Sequence, residues 1–292
     1  MRARRYHAAR ERAFEPKTEG QTATSFDAAG FLEQLDSATR TDMTESYTLG
    51  YSAKALDFVS RRTLESHGAF FVPYLQPGML VLDCGCGPGS ITLGIAARVG
   101  GGSVVGVDMN EAQVTLATSN ATALGLRNAS FRQGSAYALP FADGTFDAVF
   151  CHALLEHLAQ PPKALREFLR VLRPAGVAGV CAPDWGGFLC APPTEEIYAA
   201  LRAHNEIQNR NGGDVLAGRK LLGLMLEAGY ADVKAQARYQ NYDDLADITG
   251  AIAVQLEHGG QHAHADAIRA WARRPVGMFA QAWVSCVGRK LL

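Results

Sequence analysis

The chain has 292 residues, 48% of them hydrophobic, with a formal net charge of -1 and a pI of about 6.7. That length supports a real core, and the charge balance argues against wrapping nucleic acid. No run of about eighteen apolar residues offers a membrane span, and no apolar secretory stretch follows Met1. Six cysteines, Cys84, Cys86, Cys151, Cys181, Cys190 and Cys286, are thinly spread and mostly sit in apolar runs, the usage of a reduced, cytoplasmic protein with buried thiols.

Residues 1–42 are first basic ("MRARRYHAARERAFEPK") and then small and polar ("TEGQTATS"). They can bury little and are expected to be a disordered extension ahead of a domain over 43–292. A helix is expected from Asp57 to Tyr74, ending at Pro73. Strands and helices then alternate. "MLVLDC" reads as a buried strand and "SITLGIAARV" as a helix. "SVVGVDM" is a strand, and "NEAQVTLATSNATALG" is a helix capped by Asn110 and closed at Gly125. "ASFRQGS" and "FDAVFCH" are strands, "PKALREFLRVL" is a helix with proline at its start, and "GVAGVCAP" is a strand. This alternation predicts a doubly wound α/β sheet. Beyond Asp184 helices are expected over about Thr194–Asn209 and Arg219–Ala228, then a strand in "YADVKAQARYQ". Helices over about Tyr242–His258 and His262–Arg273 precede a last strand in "AQAWVSCVGRKL". Extra helices between late strands belong over the carboxyl ends of the sheet, where ligands bind in such folds.

The chemistry-bearing stretch is "VLDCGCGPGS", Val81–Ser90. A strand ending in Asp83 runs through Gly85, Gly87 and Gly89 into a helix. Glycine permits the tight turn and leaves no Cβ against a ligand, and the helix N-terminus favours negative charge. The dinucleotide fingerprint G-x-G-x-x-G fails, because Ser90 stands at its sixth position. No metal site is expected. Cys84 and Cys86 form a C-x-C without a second pair, and His258, His262 and His264 straddle Gly259-Gly260, a helix-breaking turn.

Asp83-Cys84-Gly85-Cys86-Gly87-Pro88-Gly89 resembles motif I of the class I S-adenosylmethionine-dependent methyltransferases, and the likeness runs from about Tyr47 to Gly288. It is closest to the small-molecule branch that includes the ubiquinone/menaquinone-biosynthesis type. "GVD" places Asp108 at the end of the second strand, where the family binds the ribose hydroxyls. "GSAYALPF" matches the segment edging the adenine, with Ser135 where many relatives have aspartate. "FDAVFCHALLEHL" and "VLRPAG" match the fourth strand with the helix after it and the turn into the fifth. The resemblance implies a seven-stranded Rossmann-like methyltransferase sheet with helical lid insertions at about 43–72, 190–228 and 242–274. It also implies S-adenosylmethionine as cofactor, held by Tyr47, Asp83, Gly85, Cys86, Gly87, Gly89, Asp108, Met109, Ser135, Ala136 and His152.

Methyl transfer from a sulfonium needs alignment and a dry site, with a base only for some acceptors. His152 and Asp184, at the ends of the fourth and fifth strands, are the catalytic candidates. The alternatives are that His152 packs on the cofactor and that Asp184 caps its loop or orients substrate. His157, after Glu156, reads as structural. Arg219 either meets a polar or anionic substrate or begins a helix capped by Asp214. Trp185, Phe188, Tyr198, Tyr239, Tyr242 and Trp271 are candidates for an aromatic acceptor pocket. The expected partner is a small-molecule acceptor, apolar or aromatic, methylated on O, N or C by a monomer or homodimer. Nucleic acid is disfavoured because "CHAL" replaces the N/D-P-P-Y/F signature. A non-catalytic, cofactor-binding regulatory partner of another methyltransferase is the competing reading.

Overall fold

The computed structural model describes residues 46–292; the expectation for residues 1–42 lies outside them. The elements in chain order are α1 (Ala53–Ser60), α2 (Leu64–His67), β1 (Leu80–Cys84), α3 (Ser90–Val99), β2 (Ser103–Asp108), α4 (Glu111–Ala123), β3 (Ala129–Gln133), β4 (Phe146–His152), α5 (Pro161–Val171), β5 (Leu172–Ala191), α6 (Glu195–Arg210), α7 (Ala217–Ala228), β6 (Ala231–Asn241), α8 (Leu245–His258), α9 (His262–Ala272) and β7 (Met278–Arg289). Short 3-10 turns lie at Val72–Tyr74 and Leu155–His157.

One seven-stranded sheet has the order β3-β2-β1-β4-β5-β7-β6. β1 to β5 run parallel, and β7 lies antiparallel to both neighbours. The central strand β1 is apolar and buried along nearly its whole length, as expected for a parallel strand covered on both faces. On one side, Leu82, Phe146 and Val149 pack with Leu165 and Phe168 of α5 and Leu221 of α7. On the other, Val81, Val104 and Phe150 pack with Ile95, Phe71 and Leu75. In α5 the buried residues Pro161, Ala164, Leu165, Phe168 and Val171 repeat at helical spacing on one face. A third core joins α6, α8 and α9 around Ile197, Leu201, Ile252, Ile268 and Trp271, with Trp185 and Phe279 from the strands.

The segment expected to be one helix from Asp57 to Tyr74 is broken. Ser52 accepts from the Ala55 N–H and starts α1 early. Thr63 and Ser66 then form a reciprocal capping box that restarts the chain as α2. Strand β5 runs well past Pro183, because after an irregularity between Asp184 and Leu189 it pairs with β7 again as far as Ala191. Asp244 accepts from Ala246 N and delays α8 to Leu245.

Candidate active site

A cavity of ≈ 640 Å³ opens at the carboxyl ends of β1, β2 and β4, beneath Tyr47, Leu49, Gly50 and Tyr51 of the segment preceding α1. Among the residues expected to hold the cofactor, Tyr47, Asp83, Gly85, Cys86, Gly87, Asp108, Met109, Ser135, Ala136 and His152 line it. Gly89 does not. The three glycines of the turn are used differently. All have positive φ: +78°, +52° and +81° at Gly85, Gly87 and Gly89. A Cβ at Gly85 would press Leu154 at 3.0 Å, and one at Gly89 would press Ala117 at 3.0 Å and Phe131 at 3.1 Å. A Cβ at Gly87 would meet only Gln113 Oε1, at 3.9 Å. Gly85 and Gly89 therefore let elements pack, while Gly87 leaves open the space that a ligand can fill.

Asp108 is fixed by the backbone: Gly87 N donates to Oδ2 and Asn110 N to Oδ1, both at 2.9 Å. Each oxygen keeps acceptor capacity for a hydroxyl. Burial raises its pKa against the two N–H groups that favour the carboxylate. Asp83 lies deeper. It accepts from Thr92 Oγ1 at 2.6 Å, and burial pushes its pKa up to about 7. Burial holds the Cys86 thiol far above its ordinary range, so it is no nucleophile. Met109 is exposed at the rim, and its carbonyl accepts from Gln133 Nε2. Ser135 Oγ accepts from Tyr137 N.

Tyr47 packs edge-on against His157, with ring centroids 4.9 Å apart. Its segment is tied to the α6–α7 link, where Ser46 N donates to Asn211 O and Asn211 Nδ2 to Thr48 Oγ1. His152 is buried, stacked on Trp283 at 4.8 Å and edge-on to His67 at 5.2 Å. Burial drives its pKa well below the usual imidazole value, and neither ring nitrogen has a hydrogen-bond partner among the described residues. Ala153, just beyond it, is held at φ +55°, a conformation costly for a residue with a Cβ.

Asp184 lies apart from this cavity's lining. Arg219 grips it with Nε on Oδ2 and Nη2 on Oδ1, both at 2.7 Å, while Arg219 N also donates to Oδ2. Gly186 N donates to Oδ1. These bonds favour the alternative reading of Asp184, in which it caps its loop, over a catalytic one. Arg219 is engaged by Asp184 at the start of α7, and Asp214 caps the turn at Leu216 N.

A second cavity, of only ≈ 50 Å³, shares Tyr47, Leu49, Arg62, Ala153 and His157 with the first. Phe58, Ile248, Ala251, Ile252, Trp185 and Trp283 give it apolar walls, and His204, Gln208, Gln255, Gln281 and Glu156 give it polar groups. Of the six aromatics singled out in the sequence, Trp185 alone lines it. Trp271 is core, its Nε1 donating to Pro192 O, and Tyr239 is largely exposed. Sequence reasoning missed Arg62, Trp283 and Glu156. Glu156 had a signal: a lone acid inside the apolar run "ALLEHL". No group of three or more His, Cys, Asp and Glu side chains among the described residues is placed to hold a metal, and no described helix is long and apolar enough to cross a membrane.

A family model described as a methyltransferase domain matches residues 75–241, more than half of the chain. An uncharacterized methyltransferase of Schizosaccharomyces pombe is 34% identical over 191 residues, covering 63% of this chain and 68% of that protein. A demethylmenaquinone methyltransferase of Symbiobacterium thermophilum is 36% identical over 105 residues, 35% of this chain and 42% of the relative. Other curated relatives are matched over about half of their length. In fold, the crystal structure of the YcgJ protein of Bacillus subtilis superposes with a TM-score of 0.56 at 20% identity, covering 77% of this chain and 97% of that one. The left-handed turn open at Gly87, the acid at the end of β2 and the match across the sheet converge: the chain belongs to the class I S-adenosylmethionine-dependent methyltransferases.

Proposed function

We propose that the protein methylates a small, apolar or aromatic metabolite, with the cofactor in the larger cavity and the acceptor entering from the smaller one. The observation that carries this reading is the shared wall. Tyr47, Leu49, Arg62, Ala153 and His157 border both spaces, so a ligand in each meets the other there. When bound, S-adenosylmethionine supplies an electrophilic methyl group on a good leaving group. The chain's own task is then to orient and to exclude water. Asp108 would receive the ribose hydroxyls, with the backbone at Gly87 against the ligand. Ser135, Ala136 and Met109 would border the adenine end, and Tyr47 would close the top. His152, neutral, stacked on Trp283 and edge-on to His67, serves as a wall rather than as a base. The relative named for demethylmenaquinone is consistent with an apolar ring as acceptor, as are Phe58, Trp185 and Trp283.

The test is calorimetry with S-adenosylmethionine, followed by transfer of a labelled methyl group to a panel of phenols, quinols, aryl amines and aryl carboxylates. Cofactor binding with a methylated product supports the proposal. Binding without transfer to any acceptor favours the regulatory, non-catalytic reading.

A further inference from the structure

The smaller cavity is lined by an acid with one carboxyl oxygen left unpartnered. Glu156 sits on the 3-10 turn after β4, is 2% exposed, and its Oε2 has no hydrogen-bond partner among the described residues. Its other oxygen is 3.7 Å from His157 Nε2, too long for a hydrogen bond. The backbone at this residue is firmly placed, since its carbonyl accepts from Gln208 Nε2 at 3.1 Å and Asp214 N at 2.8 Å. A buried, unsatisfied carboxyl costs stability unless an occupant completes it.

We propose that Glu156 takes the proton from the methyl acceptor, and that the acceptor is therefore a hydroxyl acid enough to yield it, a phenol or enol on an apolar body. This rests on the two-cavity reading above. In the step, the acceptor O–H bond breaks and its proton passes to the Glu156 carboxylate. An oxygen electron pair forms the bond to the methyl carbon, and the carbon–sulfur pair departs on sulfur. The products are a methyl ether, the demethylated thioether and protonated Glu156, which returns its proton to solvent after release.

The surroundings suit that exchange. Burial raises the Glu156 pKa to about 8, opposed first by a hydrogen bond from its own backbone N–H and then by the Arg62 charge. Arg62 stands over the rings of Phe58 and Trp283, 5.5 and 5.6 Å from their centroids, and makes no salt bridge among the described residues. The other titratable groups around Glu156 are Tyr47, His157, Cys151 and Cys181, with His204 across the cavity. Burial holds His157 near a pKa of about 3 and lowers that of His204, while Tyr47 and both thiols are pushed up. At neutral pH, Arg62 is thus the one cation among these groups. A sulfonium in the adjoining cavity adds a second positive charge and favours the carboxylate just when a base is required.

Infrared difference titration of the full chain tests this without a known acceptor. Asp83 contributes a protonated-carboxyl component titrating near pH 7, and the component titrating near pH 8 should vanish in Glu156→Gln. In the wild type its midpoint should fall by about one pH unit or more with S-adenosylmethionine bound, relative to S-adenosylhomocysteine, which lacks the charge. Equal midpoints with the two ligands, or a component near pH 8 that survives in Glu156→Gln, would overturn the proposal while leaving the proposed function standing. Failure of both ligands to bind would remove both. If Glu156→Gln does not fold, Glu156→Asp should retain the band and its ligand dependence. With any hydroxyl acceptor from the panel, Glu156→Gln should lose about 100-fold or more in kcat at unchanged cofactor Kd; full turnover would likewise overturn it.

Discussion

The two cavities are built on opposite terms. On the cofactor side the protein completes its own polar groups: Asp108 is held by two backbone N–H groups and Asp83 by Thr92. On the acceptor side it does so only in part: His204 meets Gln255 and Asn205, Gln208 donates to the Glu156 carbonyl and Gln281 accepts from Tyr242, but Glu156 Oε2, His157 Nδ1 and Trp283 Nε1 are buried with no hydrogen-bond partner among the described residues, as are both ring nitrogens of His152 on the cofactor side. A ligand common to a whole family can be met by backbone geometry, which many sequences encode. An acceptor peculiar to one enzyme has to be met by side chains, and these remain unsatisfied until it arrives.

The sharpest way to break this contrast is at Gly87. Gly87→Val places a branched side chain at φ +52° in open space and should weaken S-adenosylmethionine binding by about 100-fold or more. The comparison is Gly89→Val, whose Cβ collides with Ala117 and Phe131 and which should lower the melting temperature first. Calorimetry beside thermal melts separates the two. Asp108→Ala comes next. Losing a charged acceptor should cost about 2 kcal/mol of cofactor affinity, roughly 30-fold, and unchanged affinity would remove the ribose assignment.

The Asp184–Arg219 pair marks the boundary of the site. Arg219→Ala leaves the Asp184 carboxylate with only its two backbone donors. It should cost about 1–3 kcal/mol of stability, since one partner of the pair stays buried, and it should not alter cofactor affinity. A stable variant with impaired binding would return Arg219 to the ligand site.

Stability against pH sharpens the same contrast. The pKa values of His67, His152, His157 and His204 are depressed by burial. For His67 and His157, lowered to about 3, the unfolded chain binds protons between about pH 3 and 6.5 that the fold refuses, so their contribution to stability is lost as pH falls through that window; His152 and His204 act in the same direction. Asp83 and Glu156 are raised, to about 7 and about 8. Here the fold retains protons that the unfolded chain sheds, so their contribution is lost as pH rises from about 4 towards those values. Thermal melts should therefore show the melting temperature falling towards acid. They should also show an alkaline decline from about pH 6.5 to 8.5 that is shallower in Glu156→Gln. An equal decline in both proteins would contradict a protonated Glu156. The smallest effect is expected at His152. His152→Phe keeps the stack on Trp283 and should lower turnover less than about tenfold, whereas a larger loss would restore the histidine as a base.

These contrasts also explain what could be read beforehand. The strands and the glycine turn were legible because alternation and left-handed glycines are local properties. The fate of Asp184 was not, because its partner Arg219 is 35 residues away and meets it only through the fold. The helix expected from Asp57 to Tyr74 failed at Thr63, where a capping box outweighed an apolar pattern. Trp283 reaches the acceptor cavity from the last strand, paired opposite Pro183, a neighbourhood that no spacing along the chain reveals.

The division of labour between the cavities has one direct test. Ala251 of α8 lines the smaller cavity and not the larger. In Ala251→Phe, the ring should occupy acceptor space. Cofactor Kd and methyl transfer, measured on the same preparation, should then part: binding within about twofold of wild type, and transfer reduced by about tenfold or more. Undiminished transfer, or a loss of cofactor affinity matching the loss of turnover, would contradict the account.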